Sequence, residues 1–164
     1  MKRFVCADPP PPLPYGTRDR RVLKTMGAYW ERDVQSGLRN LSKCGGTVPS
    51  SDIVLVGRDV DGIGAIGWGF QFADDEWWLL GLAVALRLRA SGRHFGDELM
   101  DEMLNEIASR SDQAGLPEVM VRARIHEKNL NSQKLAERSF FQQGETVLDD
   151  PQLLWWEQLM DLRP

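Results

Sequence analysis

Residues 82–108, LAVALRLRASGRHFGDELMDEMLNEIA, combine an apolar run, a stretch carrying Gly92 and Gly96, and an amphipathic pattern of helical period. A strand that turns through glycines into a helix can cradle a phosphate. The first N–H groups of a helix have no intrahelical partner, its macrodipole is positive at that end, and glycine lets the backbone approach an anion closely. Arg87, Arg89 and Arg93 flank this stretch with guanidinium groups suited to phosphate oxygens; the alternative is that they solvate a loop. Further on, His126 and Asn129 stand close together, and an imidazole is a ready group for proton transfer. A loop histidine with no catalytic duty is the plainer reading of His126.

These groups need a scaffold, and the hydrophobic pattern supplies one. Residues 53–57 and 63–72 are rich in Val, Ile and aromatics, and Asp61-Gly62 between them has the chemistry of a tight hairpin turn. Residues 77–84 form a nearly continuous apolar run, as a central strand buried on both faces would. The helix after the glycines places Leu99, Met100, Met103, Leu104, Ile107 and Ala108 on one stripe. Gly115 and Pro117 end it. Residues 119–125 alternate as a strand with unlike faces, residues 130–140 read as a short helix, and residues 145–148 and 153–160 read as two closing strands around a turn at Asp149, Asp150 and Pro151. Upstream, residues 1–16 include a proline-rich arm (Pro9 to Pro12, and Pro14) after a short possible strand. Residues 17–46 carry Val22, Met26, Tyr29, Trp30, Val34, Leu38 and Leu41 at helical spacing.

A chain of 164 residues with 42% hydrophobic and 27% charged side chains is expected to form one ordinary globular domain. A net charge of −4 gives no general attraction to nucleic acid, so none is expected as a partner. Cys6 and Cys44 match no metal-ligand spacing and suggest no metal site; they suit a reducing cytoplasm. The apolar run ends too soon, at Arg87, to span a bilayer, so no membrane contact is expected.

The order of elements over residues 52–160 resembles the GNAT superfamily of acyl-CoA-dependent N-acyltransferases. The family's loop reads Arg or Gln, two residues, Gly, one residue, then Gly or Ala. Two registers compete here. One aligns Arg89, Gly92 and His94; the other aligns Ser91, His94 and Gly96 and keeps Leu99, Met100, Met103 and Leu104 where the family's apolar stripe belongs. The second is preferred, because burying each large aliphatic side chain contributes ~1.5–3 kcal/mol. A second motif lies downstream: Asn129, Ser132, Leu135, Glu137, Arg138 and Phe141 fall in register with the family pattern. Ala136 takes the place of its tyrosine and Phe140 that of its glycine.

The resemblance implies an α/β (α+β) fold with a mixed, largely antiparallel central sheet flanked by helices and splayed at the cofactor site. It implies acetyl-CoA as the acyl donor, held by Leu82, Ala83, Val84, Arg89, Ser91, Gly92, Arg93, His94, Phe95, Gly96, Asp97, Asn129 and Ser132. The oxyanion donor would be a backbone N–H at a bulge near residues 82–84. Asp97 would repel a pyrophosphate, by ~1 kcal/mol at 4 Å in bulk water. The acceptor would be a primary amine of unidentified identity. For the base, the family's strand glutamate falls near Trp78, so Glu76, on the same face, is the candidate, followed by His126; Asp74 and Asp75 are weaker. Trp68, Trp77, Trp78, Trp155 and Trp156 serve the core, a homodimer surface or an acceptor pocket. The alternative function is a weakly active or inactive domain of this fold that senses coenzyme A or binds a partner, favoured by Ala136 and His94.

Overall fold

The computed structural model describes residues 6, 30–32, 34–37, 48–89 and 94–163. Most of the proline-rich arm and of residues 17–46, and the expected ligand contacts Ser91, Gly92 and Arg93, lie outside the described residues. The elements run β1 (Asp52–Asp59), β2 (Gly62–Ala73), β3 (Glu76–Val84), the helical turn α1 (Leu86–Arg89), α2 (Phe95–Gln113), β4 (Glu118–His126), α3 (Leu130–Arg138), β5 (Gln142–Val147) and β6 (Asp150–Asp161). The strands form one six-stranded sheet in the order β1-β2-β3-β4-β6-β5. Every neighbouring pair is antiparallel except β3 with β4.

Local chemistry accounts for the boundaries. Gly62 follows the β1–β2 turn with a φ of 124°, a conformation that a side chain would oppose. Helix α2 starts at Phe95 and buries Leu99, Met100, Met103, Leu104 and Ile107, the phase that the preferred register requires. That stripe packs on one sheet face, against Trp77 and Leu79 of β3 and Val119, Val121 and Ile125 of β4. Two β2 glycines make room for it. A Cβ at Gly67 would lie 2.9 Å from Met103 Cγ and Sδ, and one at Gly69 would lie 3.2 Å from Met103 Cε.

Helix α3 opens at Asn129, whose side-chain oxygen accepts the Ser132 N–H at 3.3 Å, an N-cap bond. It closes with Phe140 N–H donating to Glu137 O at 3.1 Å and Phe141 N–H to Ala136 O at 2.9 Å. These paired bonds are a Schellman closure. They require a left-handed residue at position 140, where this chain has phenylalanine at a φ of 64°.

Three local expectations change. Residues 86–89 form a helical turn instead of continuing a loop, because Leu88 N–H bonds back to Ala85 O at 2.9 Å. The last turn lies at Leu148 and Asp149, with Asp150 and Pro151 already in β6. Pro151 is tolerated at the start of that strand. The bulge expected near residues 82–84 lies instead at Leu80: Gly69 pairs with Leu79 and Trp68 with Gly81, leaving Leu80 unmatched. An extra residue inverts the alternation of faces. Trp77 and Leu79 point to the α2 side, and beyond the bulge Leu82 does so, while Ala83 packs with Cys6, Val34 and Ile66 on the other.

Candidate active site

The β3–β4 ladder spans only Glu76↔Met120 to Leu79↔Ala123. Beyond it, β3 stays paired with β2 as far as Val84, and β4 stays paired with β6 as far as His126. The sheet is therefore split at its centre, immediately beside the Leu80 bulge. Backbone groups on the facing edges of the split have no strand partner, and buried ones need another. A cavity of about 540 Å³ fills this opening. Its walls are residues 79–84 of β3 and 123–126 of β4, the start of α2 from His94 to Asp97, and Asn129, Ser132, Leu135 and Arg138 of α3 and its cap.

Helix α2 aims its N-terminus into this space. His94 is the N-cap, and its side chain makes no capping bond. A Cβ on Gly96 would sit 3.6 Å from Leu135 Cδ2, so this glycine keeps the helix start slim without being forced by packing. Asp97 does not face the site as a bare charge. Arg138 Nε lies 2.7 Å from its Oδ1 and Nη2 lies 3.1 Å from Oδ2, a two-pronged ion pair. That guanidinium, aided by His94, holds the Asp97 carboxyl below its ordinary value. The repulsion expected from Asp97 is thus offset by the residue that occupies the motif's basic position.

Of the thirteen expected donor-binding residues, ten are among the described ones, and all ten line the cavity: Leu82, Ala83, Val84, Arg89, His94, Phe95, Gly96, Asp97, Asn129 and Ser132. The arginines have structural partners. Arg89 bonds Glu31 at 2.7 Å and Cys6 O at 2.5 Å, joining the cavity wall to the helical residues 30–32. Arg87 bonds Asp59 and Ile63 O and so fastens the β1–β2 end.

The two candidates for proton transfer part company. Glu76 does not line the cavity. It sits at the paired end of the split strands, accepting the Trp78 Nε1–H at 2.5 Å and an Arg122 N–H at 3.2 Å through the same oxygen. His126 does line the cavity, is buried, and stacks on Trp30 with centroids 4.7 Å apart. Its Nδ1 accepts the Lys128 N–H at 3.0 Å, so the neutral ring carries its proton on Nε2 and is there a donor. Ala136, in the place of the family tyrosine, is buried in the core. Asp74 and Asp75 are exposed turn residues outside the cavity wall.

Two cavity residues had no sequence signal. Leu80 is one more apolar residue in an apolar run, and its bulge depends on β2. Arg124 looks like any polar position of an alternating strand until the split places it at the opening.

No protein-family model matches this chain, and no curated protein matches it in sequence. Solved structures do match in shape. An acetyltransferase from Streptococcus agalactiae superposes with a TM-score of 0.62 at 11% identity, covering 85% of this chain and 87% of that one. The Campylobacter jejuni N-acetyltransferase PseH in complex with acetyl coenzyme A superposes with a TM-score of 0.54 at 15% identity, covering 85% and 91%. An acetyltransferase assigned to the GNAT family from Desulfovibrio desulfuricans gives 0.55 at 15% identity, covering 88% and 90%. At such identities the likeness establishes the fold.

Proposed function

We propose that this chain, which has the GNAT fold, transfers an acetyl or other acyl group from coenzyme A to a primary amine. The observation that carries this reading is the split between β3 and β4, opening onto the N-terminus of α2. A long donor with amide groups along its arm and a diphosphate at its end suits an open pair of strand edges that leads to a helix N-terminus. The described residues fit such a donor. Gly96 and its neighbours offer helix N–H groups to the diphosphate, and Asp97 is already neutralised by Arg138. The thioester supplies an activated carbonyl.

The protein's own contribution is orientation and electrostatics. An acyl carbonyl accumulates negative charge on oxygen as an amine attacks, and a fixed donor near it lowers the barrier. The bulge at Leu80 interrupts the ladder where the cavity begins, which favours a backbone N–H of residues 80–81 as that donor. His126, whose Nδ1 accepts a backbone N–H and whose donor is therefore Nε2–H, suits a second donor toward the carbonyl oxygen or the departing sulfur. The described carboxylates of the cavity wall, Glu31 and Asp97, are held by Arg89 and Arg138. With these carboxylates engaged, and Glu76 bonded to Trp78 and Arg122, the reading assigns the amine's proton to water.

Calorimetry with acetyl-CoA, followed by thiol release with a panel of amines, tests this reading. Binding with turnover, and a kcat about 10²-fold lower for His126→Ala with donor affinity retained, is the expected result. No binding of acetyl-CoA would overturn it. A second reading, a domain that binds acyl-CoA without turnover, is favoured by Ala136 and by Glu76 not lining the cavity. Tight binding with no thiol release would select it.

A further inference from the structure

Arg124 is an unspent charge on the described wall of the cavity. Among the described residues of the wall, Arg89 is paired with Glu31 and Arg138 with Asp97, whereas Arg124 has neither a hydrogen bond nor a carboxylate partner. It follows Ala123, the last β4 residue paired with β3, so it stands where the sheet opens. Its guanidinium carbon lies 5.3 Å from the Trp78 ring centroid and 5.9 Å from that of Trp155, its direct cross-strand neighbour. Trp78 in turn stacks on Phe72 with centroids 4.7 Å apart and meets Trp155 edge-on at 5.1 Å. Cation–π contact orients a guanidinium and leaves its N–H edge available for an anion.

The face matters as much as the charge. Helix α2 covers the Trp77 and Leu79 side of the sheet. Arg124 belongs to the opposite side, with Trp78, Trp155 and Arg122, whose guanidinium is taken up by Glu76 and Glu157. A donor seated on the α2 N-terminus reaches the split from one face, and Arg124 awaits whatever approaches from the other.

We infer that the acceptor is an amine that also carries an anionic group, a carboxylate or a phosphate, which Arg124 grips. This inference rests on the acyl-transfer reading. It names the class of acceptor, which that reading leaves open. A charge-assisted hydrogen bond to such a group favours the anionic acceptor over its neutral twin by about 10- to 100-fold in kcat/KM.

Matched pairs test it in the presence of acetyl-CoA: tryptophan against tryptamine for the carboxylate, and glucosamine 6-phosphate against glucosamine for the phosphate. In parallel, tryptophan fluorescence of the protein with coenzyme A is titrated with acetate and with inorganic phosphate at constant ionic strength, because the guanidinium sits on two indoles. We expect a preference for the anionic member of at least one pair, or a saturable fluorescence change with one anion. Each is expected to vanish in Arg124→Gln and to survive in part in Arg124→Lys. Neither effect in the wild type, or either effect persisting in Arg124→Gln, overturns the inference. A variant that loses acetyl-CoA affinity but keeps the preference assigns Arg124 to the donor and also overturns it. Failure of acetyl-CoA to bind at all is a different result and counts against the reading beneath.

Discussion

Replacing Phe140 with glycine should stabilise this protein. The residue holds a φ of 64° at the Schellman closure of α3, and its side chain is 82% exposed. A side chain in the left-handed region costs ~1–2 kcal/mol through the clash of Cβ with the following carbonyl. Glycine removes that cost but loses ~0.5–1 kcal/mol more backbone entropy on folding. Little burial is forfeited, since the ring lies almost wholly in water, so the net gain is about 0.5–1 kcal/mol. For a domain of this length, that raises Tm by roughly 1–4 °C. Thermal unfolding followed by circular dichroism, with urea midpoints alongside, reads the change. Phe140→Ala is the decisive control, because alanine keeps the Cβ and therefore the strain. Phe140→Gly at or below the wild type, or Phe140→Ala gaining as much as Phe140→Gly, would refute the reasoning, the second by tracing the gain to loss of an exposed ring.

Gly67→Val should destabilise by ~1–3 kcal/mol, since its Cβ meets fully buried Met103 at 2.9 Å, whereas Gly57→Ala, 3.5 Å from the Ala65 Cβ, should cost far less. Equal urea midpoints for these two variants would contradict the packing described. The Asp97 carboxyl is held below its ordinary value in the folded protein, so its contribution is present above the unfolded value near ~3.9 and is lost as pH falls through the folded value. Between pH 6 and pH 3 the wild type should therefore lose more stability than Asp97→Asn, and parallel losses in urea titrations would show that the Arg138 pair contributes nothing.

The fold was legible wherever local pattern and tertiary environment agree. The α2 stripe named from spacing, Leu99 to Ile107, is the buried face, and the first hairpin does turn beside Asp61, one residue earlier than expected: Val60 and Asp61 form the turn and Gly62 already pairs with Asp59 in β2. The proline-rich arm and most of residues 17–46 lie outside the described residues, so their expected roles rest where the sequence left them. What escaped the sequence depends on partners far along the chain. Nothing local distinguishes Leu80 from Leu79 or Leu82, and only pairing with β2 makes it the bulge. The partners of Glu76 were not legible either: only once β4 lies parallel to β3 does Arg122 meet its carboxylate. Arg138 was visible as a motif residue, yet its effect on Asp97 required α3 to lie across the start of α2. Phe140 was visible as a departure from a glycine, and the structure shows why glycine suits that place.

The short β3–β4 ladder also bears on how the molecule comes together. Strands β1 to β3 form a meander joined by tight turns, while in the other half β6 lies between β4 and β5, so the antiparallel pairings of each half stay within that half's own stretch of chain. The two halves are joined within the sheet by a parallel pairing that must span all of α2 and closes late, since chain-closure entropy is lost before that pairing rewards it. A molecule seated in the split touches both halves at once. It would then bind the joined form alone, slowing the parting of the halves and making unfolding more nearly all-or-none.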